Sequence, residues 1–414
     1  MMTPAKTQLR PPCSWVFAFL FLLLAAISTA NAADKVVAWG AGMIIKTSDT
    51  NDYGQSLVPA TLTNAVSVAG GWRHSLALKA DGTLKGWGDD TLGQTSFPTS
   101  NAVGTNYVYI AIACGYLHSL ALQSNGTVLA AGYDAYGQTD VPTGLSNVVA
   151  IACGFYHSLA LNSDGTVTAW GTSTNPALFG TDYTDFGQSL VPMGLSNVVA
   201  IAGGGWHSLA LKSDGTMTGW GRNDYGEASI PAGLSNVVAI AAGAAYSLAL
   251  QANGTVLAWG QNIYGQTNVP AGLSNVVAIA SGGWHGLALK SNGTVAAWGA
   301  GIGTNTAVDC KQTSVPSNLT NVIQIAAGTL NSLALVGNHP PSIQVPLTVA
   351  GFKTNGFTAS LPTFNGRVYR LEYLNSLTNQ LWSAFPLQAG LGDTMQFADP
   401  GPPVAQRFYR VSRW

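Results

Sequence analysis

Apolar and polar positions follow two alternating half-units along most of this chain. One holds a Ser-Leu-Ala-Leu core led by Ser75, Ser119, Ser158, Ser208, Ser247, Gly286 and Ser332. The other is an apolar run ending in Trp-Gly, at Trp39, Trp87, Trp170, Trp220, Trp259 and Trp298, with Ala131 as its one substitution. In the plainest repeat, residues 236–274, the apolar run 237–241 predicts an inner strand buried on both sides. Gly243 turns the chain, 247–250 is a second strand, Asn253-Gly254 a type I′ hairpin and 256–259 a third strand. Tyr264-Gly265-Gln266 then leads to Val269-Pro270, where proline suits a short outermost strand because it cannot donate to a ladder. Glycine opens the first turn of all seven repeats (Gly71, Gly115, Gly154, Gly204, Gly243, Gly282, Gly328), as expected where positive φ or close backbone approach is needed.

The chain starts with the Trp-Gly half and its last repeat stops after the Ser-Leu-Ala-Leu half. A linear stack would leave an unpaired half at each end, whereas a ring pairs them. The expectation is an all-β fold: a seven-bladed β-propeller over 33–338, closed by its N-terminal strands. Six Asp-Gly or Asn-Gly hairpins for seven blades agree with this, because the last blade joins 323–335 to the incoming 36–39 and needs no hairpin.

The flanks read differently. Lys6 and Arg10 precede an apolar stretch over 15–27, and Ala30-Asn31-Ala32 offers small residues at cleavage-site spacing, so 1–32 reads as an export signal. No later stretch approaches about 20 continuous apolar residues, so no transmembrane segment is expected, and the product should be extracellular or associated with the cell envelope. His339-Pro340-Pro341 opens a linker over 339–342. Residues 343–414 alternate in strand fashion at 369–373 and 408–411 and predict a small C-terminal β-sandwich-like domain.

Charge is sparse, at 8% of residues. The predicted ring carries nine Lys and Arg against fifteen Asp and Glu, a poor match for phosphate backbones, which excludes nucleic acid as the expected partner. The tail, with six cations against three anions, could touch an anionic envelope. With Cys13 in the export signal, three cysteines remain, too few for a disulfide framework. Cys114 and Cys153 share one repeat position in adjacent blades, a slot filled elsewhere by Gly, Ala or Ser, and the sequence leaves open whether they pair.

The succession of apolar run, Gly, His-Ser-Leu-Ala-Leu, Asp/Asn-Gly-Thr, Trp-Gly, Tyr-Gly-Gln and Val-Pro over about 36–336 resembles the regulator-of-chromosome-condensation repeat. Its 39-residue version is similar to the secreted bacterial branch that includes a propeller-type protein inhibitor of β-lactamases. That resemblance implies a propeller that binds a protein partner through aromatic loop residues of one face. The tail resembles small modules at the C-termini of secreted bacterial proteins.

The chemistry points away from catalysis. His74, His118, His157, His207 and His285 open the second strand, with Tyr246 and Asn331 in the other two repeats, so the position reads as a polar turn contact rather than a metal ligand. Glycoside hydrolysis needs paired carboxylates, and the repeats hold one glutamate, Glu227, where others have Gln. No phosphate loop or nucleophile elbow occurs, and no cofactor or metal is expected. Each Trp of the Trp-Gly step should pack between blades.

The loop after Trp39, Trp170 and Trp298 is extended by 9, 11 and 7 residues relative to the other repeats. Antiparallel alternation puts that loop on the same face as the first turn, which carries Trp72, Tyr116, Phe155, Tyr156, Trp206 and Trp284. These six either shield blade ends or form a recognition surface, and the latter makes them the expected partner-binding residues. The expected function is a monomeric, non-enzymatic scaffold for protein–protein interaction. A carbohydrate-binding module, an inhibitor of β-lactamases or other enzymes, and least of all a hydrolase are the alternatives. The 97–108 insertion belongs to the opposite face.

Overall fold

The structure, a computed structural model, describes residues 35–42, 53–100, 104, 106–172, 184–301 and 310–337, together with the strands of the tail between 349 and 413. The export signal, the linker and most of the three extended loops (43–52, 173–183 and 302–309) lie outside the described residues.

The described chain is all β. Seven three-stranded antiparallel sheets recur over 35–336. The first three are β2(Ala65–Gly70), β3(His74–Lys79) and β4(Leu84–Gly88); β5(Tyr109–Cys114), β6(His118–Gln123) and β7(Val128–Gly132); and β8(Val148–Cys153), β9(His157–Asn162) and β10(Val167–Gly171). Next come β11(Val198–Gly203), β12(His207–Lys212) and β13(Met217–Gly221), then β14(Val237–Ala242), β15(Tyr246–Gln251) and β16(Val256–Gly260). The sixth holds β17(Val276–Ser281), β18(His285–Lys290) and β19(Val295–Gly299). The seventh joins the two ends of the repeat region: β20(Val322–Ala327) and β21(Asn331–Val336) with β1(Lys35–Gly40), in a register from Lys35 opposite Val336 to Gly40 opposite Asn331. Each sheet packs on the next, and β2 lies against β20 and β21. The last residues of the first strands of these sheets, Gly70, Cys114, Cys153, Gly203, Ala242, Ser281 and Ala327, line one cavity of about 100 Å³.

Apolar side chains of the middle strands fill the seams between sheets: Leu120, Leu159, Leu209, Leu248 and Leu287 are wholly buried. Each Trp of the Trp-Gly step packs against the preceding sheet, Trp170 on Leu120 and Leu122 and Trp298 on Leu248 and Leu250, as expected for interblade packing. Cys114 and Cys153 are free thiols, and burial pushes the Cys114 thiol up to about 12.

Three local expectations are corrected. The Asp/Asn-Gly turns are not type I′, because only the glycine has positive φ (Gly82 at 76°, Gly215 at 80°). Gly82 N donates to Lys79 O, and Lys79 N to Thr83 O, which makes a type I turn closed by a left-handed glycine. The preceding acid stays right-handed because its carboxylate caps the turn: Asp81 Oδ1 accepts from Thr83 N at 3.0 Å and Thr83 Oγ1 at 2.6 Å. The Val-Pro segment is not a strand. It folds into consecutive turns (Val269 N to Thr267 O, Leu273 N to Pro270 O), which a proline without an N–H accommodates better than a ladder. The seven turn glycines do not have positive φ. They are small because a side chain lies on them: a Cβ on Gly154 would sit 2.0 Å from His157 Cε1.

In the tail, β22(Val349–Lys353), β23(Gly356–Pro362) and β27(Thr394–Asp399) form one sheet. β24(Val368–Leu374) pairs with β25(Ser383–Ala384), β26(Gln388–Ala389) and β28(Phe408–Arg413) in a second. Both expected strands are there, and they pair with each other.

Candidate interaction face

Two sets of buried contacts set the geometry of the faces. The residue that opens each middle strand reaches the following sheet. His74 Nε2 lies 2.7 Å from Ser119 Oγ, His118 3.1 Å from Ser158, and His157, His207 and His285 each 2.9 Å from Ser208, Ser247 and Ser332. In the other two repeats Tyr246 donates its hydroxyl to His285 O, and Asn331 Nδ2 donates to Ser75 Oγ at 3.4 Å, which carries the series from the last sheet to the first. Ser158, Ser208, Ser247 and Ser332 donate their hydroxyls to backbone carbonyls, so they accept from histidine. Those imidazoles are neutral with the proton on Nε2, and burial lowers them to about 3. Histidine is the polar turn contact that the pattern of substitutions implied.

The second set starts from the Tyr-Gly-Gln loop. Its Gln or Glu is fully buried, and in five of the seven sheets its backbone carbonyl accepts both the Ser hydroxyl and the Trp indole N–H of the next sheet, while Gln266 O accepts only Trp298 Nε1 because Gly286 has no hydroxyl. Gln138 O takes Ser158 Oγ at 2.8 Å and Trp170 Nε1 at 3.0 Å; Gln312 O takes Ser332 Oγ and, from the N-terminal strand, Trp39 Nε1, both at 2.8 Å. Gln94 O receives neither, since Ala131 has no indole and Ser119 Oγ turns to Cys114 Sγ instead. Glu227 serves the same way: its carboxylate accepts Tyr225 N at 2.8 Å and its backbone carbonyl accepts Trp259 Nε1.

The loop after each third strand begins beside the first turn, as expected, because the two hydrogen-bond: Asp89 N to Arg73 O, Thr172 N to Tyr156 O, Arg222 N to Trp206 O and Ala300 N to Trp284 O. The six expected residues are half-buried on this face. Five of them touch. Trp72 stacks on Tyr116 at 4.1 Å and 6°, Tyr116 meets Phe155 at 4.9 Å and Tyr156 at 5.8 Å, and Phe155 meets Trp206 edge-on at 5.1 Å. Burial, then neighbouring Tyr156, pushes the Tyr116 hydroxyl up to about 12, so it stays a neutral donor. Trp284 stands apart, because Ala244 and Ala245 fill the intervening turn, and among the described residues its ring meets only Tyr264, at 6.3 Å.

The structure adds residues that the sequence pattern did not single out. The aromatic before the glycine of the Tyr-Gly-Gln loop forms a second tier: Tyr136 meets Tyr156 at 5.1 Å, and Tyr53, Phe186 and Tyr225 surround two arginines. Arg73 lies 3.4 Å over Trp72 and 4.3 Å from Tyr53; Arg222 lies 5.3 Å from Trp206. The recurrence of an aromatic at that step was visible in the sequence, but read as loop chemistry. Among the described residues no three His, Cys, Asp or Glu converge as metal ligands, and no helix is long and apolar enough to cross a membrane.

The regulator of chromosome condensation (RCC1) repeat model matches residues 65–94, 109–138, 148–175, 198–227, 237–266 and 276–301. Four of these matches run from the first strand of a sheet to the buried Gln or Glu of the loop after its third strand. Six of the repeats are RCC1-like. The same fold occurs in Saccharomyces cerevisiae Prp20p, at 20% identity, over 75% of this chain and 93% of that one, with a TM-score of 0.57. That structure was described with the binding of Prp20p to Gsp1p and histones. Yeast RCC1 (Prp20) bound to Kap60 matches at 21% identity over 82% and 96% of the two chains, also at 0.57. Human WBSCR16 matches at 22% over 73% and 99%, with 0.53. No curated protein matches the chain. At these identities the likeness carries the RCC1-type fold and nothing of a partner.

Proposed function

We propose that the chain is an exported, non-enzymatic scaffold: a closed seven-bladed propeller that binds a protein partner through the aromatic arc Trp72, Tyr116, Phe155, Tyr156 and Trp206. One observation carries this reading. Five large half-buried aromatics from four successive sheets touch in unbroken order on a rigid face, the composition that dominates protein-binding hot spots. Closure is supported by the pairing of β1 with β21, by the bond from Trp39 Nε1 to Gln312 O, and by the cavity that the first strands of all seven sheets line. Export rests on the charged, apolar and small-residue order of 1–32, and the tail is assigned as a small β-sandwich-like module. Trp284 makes a separate, smaller patch.

In quantitative capture of partners from envelope extract, Trp72→Ala and Trp206→Ala should each weaken binding by roughly thirtyfold, or about 2 kcal/mol, with melting temperature little changed. Shortening the opposite-face insertion over 99–106 should leave binding intact. Equal losses from both faces, or retention only on a glycan array, would replace the reading with blade-end shielding or sugar binding. Turnover of a substrate that Glu227→Gln abolishes would overturn the non-enzymatic assignment.

A further inference from the structure

The two arginines of the arc differ in one respect. Arg222 is neutralised by Asp224 at 2.6 Å and has the buried Glu227 carboxylate at 3.9 Å. Among the described residues Arg73 forms no ion pair, and its buried Nε has no hydrogen-bond partner. Its guanidinium is nevertheless held in place, 3.4 Å over Trp72 and 4.3 Å from Tyr53, so little side-chain freedom remains to be lost on binding. At the far end of the arc Trp206 Nε1 is likewise buried without an acceptor, whereas each indole of the Trp-Gly steps has one. Among the described residues, Asp89 and Asp90 accept Thr91 N, Thr95 N and Ser96 Oγ of their own loop, and Asp134 accepts Thr139 N. The arc therefore has an apolar floor, a preorganised cation at one end and an unanswered N–H donor at the other.

We infer that the arc takes an extended acidic segment of a partner protein, with an Asp or Glu carboxylate on Arg73 and flanking apolar side chains on Trp72, Tyr116 and Phe155. This rests on the protein-binding reading of the same face and specifies the partner's chemistry. A fork-shaped guanidinium stacked on an indole suits bidentate recognition of a carboxylate. The ring-to-ring steps from Trp72 to Trp206 are 4.1, 4.9 and 5.1 Å. At about 3.3 Å per extended residue, a second acceptor for Trp206 lies within roughly four residues of the carboxylate.

The test is binding of the full chain to an array of short peptides in which Asp or Glu sits among Leu and Phe. Matched arrays carry Asn and Gln, or Lys and Arg, at the same positions, and sulfated oligosaccharide is a further probe. Acidic peptides should bind at least about tenfold more tightly than their amide counterparts, and added salt should erode that preference. Arg73→Gln should abolish the preference, Arg73→Lys should restore part of it, and Trp284→Ala should leave it unchanged, with melting curves recorded for each. No binding, equal binding of the amide array, preference for basic peptides, or binding of the sulfated sugar alone overturns the inference. If Trp72→Ala and Trp206→Ala still weaken a captured partner while Arg73→Gln does not, the acidic assignment fails and the scaffold stands. If none of the three matters, the scaffold reading fails as well.

Discussion

At the scale of single residues, the five buried histidines make the molecule sensitive to acid. Each is neutral in the folded chain, and burial holds His74 at about 4 and the other four at about 3, below the ordinary 6.5. The unfolded chain therefore binds more protons below pH 6.5. Stability is complete above that pH and falls as pH drops towards 3, by up to about 7 kcal/mol per pH unit if all five protonate together on unfolding. Melting temperature measured from pH 7 to pH 4 should fall steeply, and His285→Asn, which installs the residue used by the last repeat, should flatten the slope. A flat profile would mean that the imidazoles reach solvent or a counter-ion. Gly154→Ala tests the neighbouring contact: a methyl there meets His157 and Gly204 O at 2.5 Å or less, so a loss of about 3 kcal/mol or failure to fold is expected. The histidine role was legible because Tyr and Asn replace it. The glycine role was not, since positive φ and close approach select the same residue and only coordinates separate them.

At the scale of elements, strands and their order were legible from period and turn residues, down to β24 and β28 of the tail. What failed was the segment after Tyr-Gly-Gln. Its function is carried by a backbone carbonyl, which has no sequence signature, and its buried Gln looks like any polar loop residue. That carbonyl explains why Trp-Gly recurs, and it exposes the junction at Ala131, where Gln94 O has neither indole nor hydroxyl. Trp72 stacks on Tyr116 between the same two sheets, and Trp72 N donates to Tyr116 O at 3.2 Å. Ala131→Trp should raise stability by about 1–2 kcal/mol through apolar burial and one hydrogen bond, read as a higher denaturant midpoint. Trp170→Ala, which empties the equivalent position of the next sheet, should cost about 3–5 kcal/mol. A destabilising Ala131→Trp would show that the neighbouring side chains have already closed the space.

At the scale of the molecule, the sequence put six aromatics on the first turns, and the antiparallel argument about loop sides agrees with the hydrogen bonds between loop and turn. It could not tell that Trp284 is isolated, because contact between neighbouring turns depends on what the turn between them carries, here Ala244 and Ala245. Closure has its own test. Deleting residues 34–40 removes the partner of β21 and the indole on Gln312 O, which exposes a sheet edge. Light scattering should show aggregation, and a monomer of unchanged melting temperature would sink the proposed ring.

Because Lys35 faces Val336 across the seventh sheet, the two ends of the repeat region are neighbours in space, and where the polypeptide starts is a separate matter from how the sheets hold one another. A circular permutant that joins these ends by a short linker and opens at Asp214-Gly215, a hairpin remote from the aromatic arc, should assemble the same sheets. It should also keep the arc's binding. The seam carried by β1 would then be continuous and the fourth sheet would be completed by both termini, so the point of weakest resistance to unfolding should travel with the cut.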